Sequence, residues 1–127
     1  MIVVDTSALV AVLLREQQFE ACKTTLDREQ RLLMSAGTLA EALIVATRRG
    51  FLQEMSGLVD AFGFEIATVT PAAARRVAEA YSRWGKGVHP AGLNFGDCFA
   101  YALARENDCA LLFVGDDFAK TDVRRAA

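Results

Sequence analysis

Five carboxylates of this chain stand near the ends of apolar runs or the starts of helical patterns. Asp5 follows "MIVV", Glu41 stands six residues beyond "RLLMS", Asp97 opens "FGDCFAYALAREN", and Asp116 and Asp117 follow "ALLFV". Oxygen ligands without an accompanying histidine or cysteine cluster suit a hard divalent cation such as Mg²⁺, with Mn²⁺ as a substitute. A cation held in this way lowers the pKa of a bound water and steadies phosphoryl oxygens, which is the chemistry of phosphodiester hydrolysis. Each acid also has a purely structural explanation. Asp5 is an acceptable N-cap for a helix starting at Thr6. Thr38-x-x-Glu41 matches a capping box, and Asn94-x-x-Asp97 resembles one with a shorter acid. Taken singly, capping is the simpler account of each. Taken together, acids crowded at one place raise one another's pKa and destabilise the fold. No lysine or arginine lies within three residues of Asp5, Glu41 or Asp97, so a divalent cation is the available relief.

Whether the acids meet depends on the elements that carry them. "MIVV", "RLLMS" (31–35), "FEIATV" (64–69) and "ALLFV" (110–114) read as short buried strands. Helical patterns cover Thr6 to about Leu14, 16–28, 38–50 with Thr38 as cap and Gly50 as terminator, 51–62, Pro71 to about Trp84, and 95–107. "GKGVHPAGLN" (85–94) is a loop. Strands alternating with helices predict an α/β fold, one domain over 1–127, with a mainly parallel sheet. Right-handed crossovers then put the strand ends at one edge, where ligands of open α/β sheets bind. Asp5, Glu41, Asp116 and Asp117 reach that edge by strand counting. Asp97 does not, since a helix and a long loop separate it from the third strand. It reaches the edge only if its helix packs antiparallel to the neighbouring strand.

The composition narrows the function classes. A hydrophobic fraction of 53% over 127 residues supports a substantial core, and the excess favours an oligomer. A net charge of −2 excludes a chain-wide basic footprint. Arg48–Arg49, Arg75–Arg76 and Arg124–Arg125 read first as solvated surface. Cys22, Cys98 and Cys109 are odd in number and far apart, which fits a reducing cytoplasm rather than a disulfide or zinc framework. No stretch looks like a signal peptide or a membrane span. His89, Lys120, Trp84 and Tyr81 default to surface or packing roles.

Four stretches in this order and spacing, "MIVVDTSALVAVLL", "TLAEALIVATRRG", "LNFGDCFAYALAREN" and "LLFVGDDFAKTDV", resemble a PIN-domain ribonuclease. More narrowly, the chain resembles the VapC-like toxin of a type II toxin–antitoxin pair. That resemblance implies a three-layer PIN-like fold and an Mg²⁺-dependent endoribonuclease held inactive by a cognate VapB-like antitoxin. It implies that Asp5 and Asp97 hold the metal, that Thr6 or Ser7 supports the site through a hydroxyl, and that Glu41 is the second acid. The fourth acid is Asp116 or Asp117, with Asp116 preferred. Asp122 matches a structural position that ties down the C-terminal turn, and the last edge strand is expected to be abbreviated. A homodimer acting on RNA follows from the same resemblance. Two rivals remain. A phosphatase or phospho-acceptor domain lacks its D-x-D at Asp5-Thr6-Ser7, and a non-catalytic binding module of the same fold would not need the full set of acids.

Overall fold

The computed structural model describes all 127 residues. The chain runs β1 (Ile2–Val4), α1 (Thr6–Leu13), α2 (Phe19–Arg28), β2 (Leu32–Ser35), α3 (Ala36–Arg49), α4 (Leu52–Phe62), β3 (Glu65–Ala67), α5 (Pro71–Trp84), α6 (Phe95–Glu106) and β4 (Ala110–Leu112), closed by a 3-10 turn at Phe118–Lys120. The four strands form one sheet in the order β3-β2-β1-β4. Every pairing is parallel, with Val3 opposite Leu33 and Leu111, and Leu33 opposite Glu65.

Side-chain alternation along these short strands builds two cores. Val3, Leu33 and Leu111 face α5 and α6, where Trp84, Tyr101 and Phe113 complete the packing. Ile2, Val4, Leu32, Met34 and Leu112 face the opposite side, with Leu9, Leu26, Ala42 and Met55 of α1 to α4. Both sheet faces are therefore covered, as a parallel sheet requires. The result is the expected three-layer α/β arrangement.

Several elements differ from the sequence expectation in ways that bear on the site. The third helix starts at Ala36, not Thr38, because Ser35 caps it: the last residue of β2 accepts a hydrogen bond on Oγ from Gly37 N at 3.1 Å. Strand passes into helix with no loop, so Thr38 and Glu41 lie inside α3 and their capping box does not form. Gly50 ends α3 in the left-handed conformation, φ 84°, as its position past Arg49 predicted. The second helix begins at Phe19 rather than 16, since Arg15 takes a positive φ of 50° and breaks the run. The third and fourth strands are trimmed to Glu65–Ala67 and Ala110–Leu112. The final edge strand is reduced to one parallel bridge, Leu111 with Arg125.

The C-terminal turn is tied down by Asp122. Its carboxylate accepts from the Tyr101 hydroxyl at 2.6 Å, and that hydroxyl accepts from Trp84 Nε1 at 2.9 Å. His89 serves its own loop, with Nδ1 accepting from Ala91 N at 3.0 Å and its ring edge-on to Trp84. All three cysteines are free and buried. No helix is long and apolar enough to cross a membrane.

Candidate active site

Asp5 sits between the end of β1 and the start of α1 and is only 3% exposed. Its two oxygens do different things. Oδ2 accepts from Ser7 N at 3.0 Å and Ser7 Oγ at 2.6 Å, so Asp5 is the N-cap of α1. Oδ1 is buried with no hydrogen-bond partner. The Ser7 hydroxyl also accepts from Val114 N at 3.0 Å. One serine thus pins the first acid to the segment leaving β4, the segment that leads to Asp116 and Asp117.

Glu41 projects from the second turn of α3. Its Oε1 accepts from the Thr6 hydroxyl at 2.7 Å, which orients it toward the start of α1. Its Oε2 lies directly against Gly96, where any Cβ would collide with the carboxylate. Glycine at 96 is therefore what lets Glu41 and α6 approach. This contact has one faint sequence signal, a glycine in the first turn of a helix, where its low propensity needs a reason.

Asp97 is the N3 residue of α6, and its capping box with Asn94 is complete. Asp97 Oδ2 accepts from Asn94 N at 3.0 Å, and Asn94 Oδ1 accepts from Asp97 N at 2.8 Å. Its Oδ1 is left over. Packing of α6 across β1, β2 and β4 and against α3 brings this turn to the acid edge, the step that strand counting alone could not supply.

The electrostatics register the crowding. Burial pushes Asp5 up from 3.8 to about 6, against the lowering effect of its Ser7 bonds, and the Glu41 charge adds to the rise. Asp97 rises from 3.8 to about 7, chiefly through burial and further through the charges of Asp5, Glu41 and Asp117. Three sequence-expected acids are thus brought together, and the charge of Asp117 adds to the rise at Asp97. Thr6 and Ser7 both support the site, each holding a different carboxylate.

No three of the His, Cys, Asp and Glu side chains form a ready-made metal-binding cluster, so the fit of a cation is judged from the individual oxygens. A buried carboxylate oxygen without a donor is costly. Neighbouring carboxylates that raise one another's pKa are costly too. Both features fit a hard divalent cation bound by oxygen.

Comparisons with known proteins agree with the α/β fold. The PIN domain family model matches residues 2–124. The ribonuclease VapC42 of Mycobacterium tuberculosis is 41% identical, the match covering 98% of each chain. The ribonuclease VapC30 of the same organism is 38% identical over the same share of each chain. Among solved structures, VapC20 of M. tuberculosis, described as a sarcin-ricin loop cleaving toxin, superposes with a TM-score of 0.78 at 17% identity, covering 97% of this chain and 96% of that one. VapBC2 of Rickettsia felis, solved bound to a DNA fragment from their promoter, gives 0.70 at 14% identity, covering 98% and 96%. With acids gathered at the carboxyl edge of a parallel sheet and relatives of this identity over nearly the whole chain, the protein belongs to the PIN-domain family, among the VapC ribonucleases.

Proposed function

We infer that this protein is an Mg²⁺-dependent endoribonuclease, the toxin of a type II toxin–antitoxin module, acting in the cytoplasm and neutralised by a VapB-like antitoxin. The observation that carries the metal-dependent part is the buried, unpartnered Oδ1 of Asp5 beside two further carboxylates. Asp5 and Asp97 would hold the cation, Mg²⁺ with Mn²⁺ as substitute, and Glu41 would complete the pocket. The bound cation supplies positive charge against the phosphoryl oxygens and lowers the pKa of water.

This chain's own residues do the positioning. Ser7 fixes Asp5 through Oδ2 and leaves Oδ1 turned to the site. Thr6 fixes Glu41 through Oε1. Asn94 fixes Asp97 through Oδ2. Asp117, rather than Asp116, is the better candidate for the fourth acid, because its charge acts on Asp97. Asp117 would orient the attacking water, and cleavage would leave a 5′-phosphate and a 3′-hydroxyl. The antitoxin is supported by the toxin–antitoxin assemblies among the structural neighbours, and a homodimer by exposed apolar side chains such as Ile44 and Leu52.

The test is incubation of the purified protein with total RNA in Mg²⁺, Mn²⁺ or EDTA, with mapping of the 5′ ends produced. Cleavage at defined sites with either metal, abolished by EDTA and by Asp97→Asn, is the expected result. Cleavage that survives EDTA, or persists in Asp97→Asn, overturns the metal-dependent mechanism.

A further inference from the structure

We propose that Phe95 is the platform on which an unpaired base of the RNA stacks next to the acids, a substrate-positioning role that rests on the ribonuclease function above. Phe95 is 71% exposed, more than any other large apolar side chain of the protein. It is the first residue of α6, in the same turn as Asp97, and the next residue is the Gly96 on which Glu41 rests. Its exposed phenyl ring, two residues from a carboxylate of the site, stands within reach of RNA bound at the acids.

The ring has one aromatic neighbour. Phe99 meets it edge-on, with centroids 5.0 Å apart and planes at 89°. Phe99 in turn is seated on the backbone of Gly37, where a Cβ would strike its ring. This contact leaves most of the Phe95 ring open to solvent. Other rings of the protein have a face covered by a cation: Arg15 lies over Phe19, Arg49 over Phe51, Lys23 over Phe62, Arg83 over Trp84 and Arg125 over Phe113. Phe95 carries none.

Electrostatics explains why such a platform is needed. The chain has a net charge of −2, and acids line the site. The net charge offers no chain-wide basic footprint for counterion release, a main source of RNA affinity. Base–aromatic stacking is indifferent to that charge and tolerant of sequence, because every base has a π-face. The apolar strip beside Phe95, formed by Ala74, Val77, Ala78 and Tyr81 of α5 with Cys98, offers the rival occupant, a second copy of this chain.

The experiment uses the full chain and two fluorescently labelled single-stranded oligonucleotides of equal length, one of ordinary RNA and one abasic with the same phosphates. Phe95→Ala is expected to weaken binding of the ordinary oligonucleotide by about fivefold to a hundredfold and to leave abasic binding unchanged. Phe95→Trp is expected to restore binding and to show emission quenched by the ordinary oligonucleotide only, with buried Trp84 as the constant background. In cleavage assays KM should rise in Phe95→Ala while kcat at saturating RNA holds. Equal loss on both oligonucleotides, or no loss on either, overturns the proposal. So does a Phe95→Ala protein that dissociates in sedimentation and regains RNA binding at high concentration, since Phe95 is then an interface residue. Base-dependent binding by a wild type that does not cleave would remove the nuclease function and leave the platform standing; normal cleavage with unchanged KM in Phe95→Ala does the reverse. A wild type that binds neither oligonucleotide removes both.

Discussion

Asp5→Asn separates the two roles open to the first carboxylate. In the metal-free protein, burial raises this group from 3.8 to about 6. At about 1.4 kcal/mol per tenfold, ionising it in place costs about 3 kcal/mol. The sign follows from proton linkage. Below about pH 4 the acid is protonated folded and unfolded, and the cost is absent; it accrues as pH climbs toward about 6 and is complete above. Asparagine caps a helix about as well as aspartate and carries no charge to bury. Its amide, however, can place a donor where Oδ1 finds no partner, a penalty of about 1–3 kcal/mol. At pH 8 without metal the mutant should therefore be as stable as wild type or up to about 2 kcal/mol more so, a Tm gain of zero to about 8 °C for a domain this size. At pH 4 the charge cost is absent and the amide penalty remains, so the mutant should be about 1–3 kcal/mol less stable than wild type. Wild type should then gain about 2.7 kcal/mol at Mn²⁺ concentrations a hundredfold above its Kd, the mutant less than half as much, with RNA cleavage lost. Circular-dichroism melts at both pH values, titrated with Mn²⁺ and paired with a cleavage assay, read all of this. A mutant that shows the full Mn²⁺ shift and cleaves normally would make Asp5 a cap and nothing more.

In EDTA, wild type should lose stability as pH rises from about 4 to about 7. Asp5 and Asp97 both have folded values above their ordinary 3.8, so the unfolded chain releases their protons first; a urea midpoint that climbs between pH 5 and pH 7.5 contradicts this. Gly96→Ala should keep stability within about 1 kcal/mol, since alanine favours the helix and the obstructing atom is a movable carboxylate end, yet lower cleavage at least tenfold by displacing Glu41; undiminished kcat would show that Glu41 has no fixed role. Asp117→Asn should reduce cleavage more than Asp116→Asn does, measured as initial rates in Mg²⁺, and the opposite order would return the fourth acid to Asp116. Tyr101→Phe should destabilise by about 1–3 kcal/mol, because the buried Trp84 N–H and Asp122 lose their shared partner, while cleavage per folded molecule stays unchanged.

How far the sequence could be read depended on the range of the interaction concerned. Strand type and order of elements were legible because "MIVV", "RLLMS" and "ALLFV" are apolar runs between amphipathic helices, and two-sided burial of a parallel sheet requires such runs. Pro71 and Gly50 marked helix ends through their own backbone chemistry and did so correctly. Thr38 misled, because a threonine three residues before a glutamate matches a capping box whether or not the helix has already begun; Ser35, closing β2, took the cap first. The approach of Asp97 to the other acids was not legible, since it depends on how α6 crosses the sheet. Gly96 against Glu41 and Ser7 bridging Asp5 to Val114 were missed for the same reason, being contacts between residues far apart in the chain. Phe95 left no signal at all, because an apolar residue at the start of an apolar helix looks like core until its exposure is seen.

Capping and metal binding began as competing accounts of the same acids, and the structure shows why both can hold. A carboxylate has two oxygens, and a helix N-terminus needs only one. At Asp5 and at Asp97, Oδ2 satisfies the backbone and Oδ1 does not. At Glu41, Oε1 takes a threonine hydroxyl. The hydrogen bonds that stabilise the helix starts are therefore the same bonds that aim the remaining oxygens. They also limit how far the acids can retreat from one another, which is why burial and mutual repulsion leave two of them with values of about 6 and about 7. Removing a cap would then do more than fray a helix. Asn94→Ala should release Asp97 from its box, so that metal affinity falls more steeply than the loss of helix stability, about 1 kcal/mol for a typical cap, accounts for. A Mn²⁺ titration of the Asn94→Ala melting temperature measures both at once. If the apparent metal affinity is unchanged while the protein is destabilised, the cap and the metal oxygen are independent, and the aiming role assigned to these bonds is wrong.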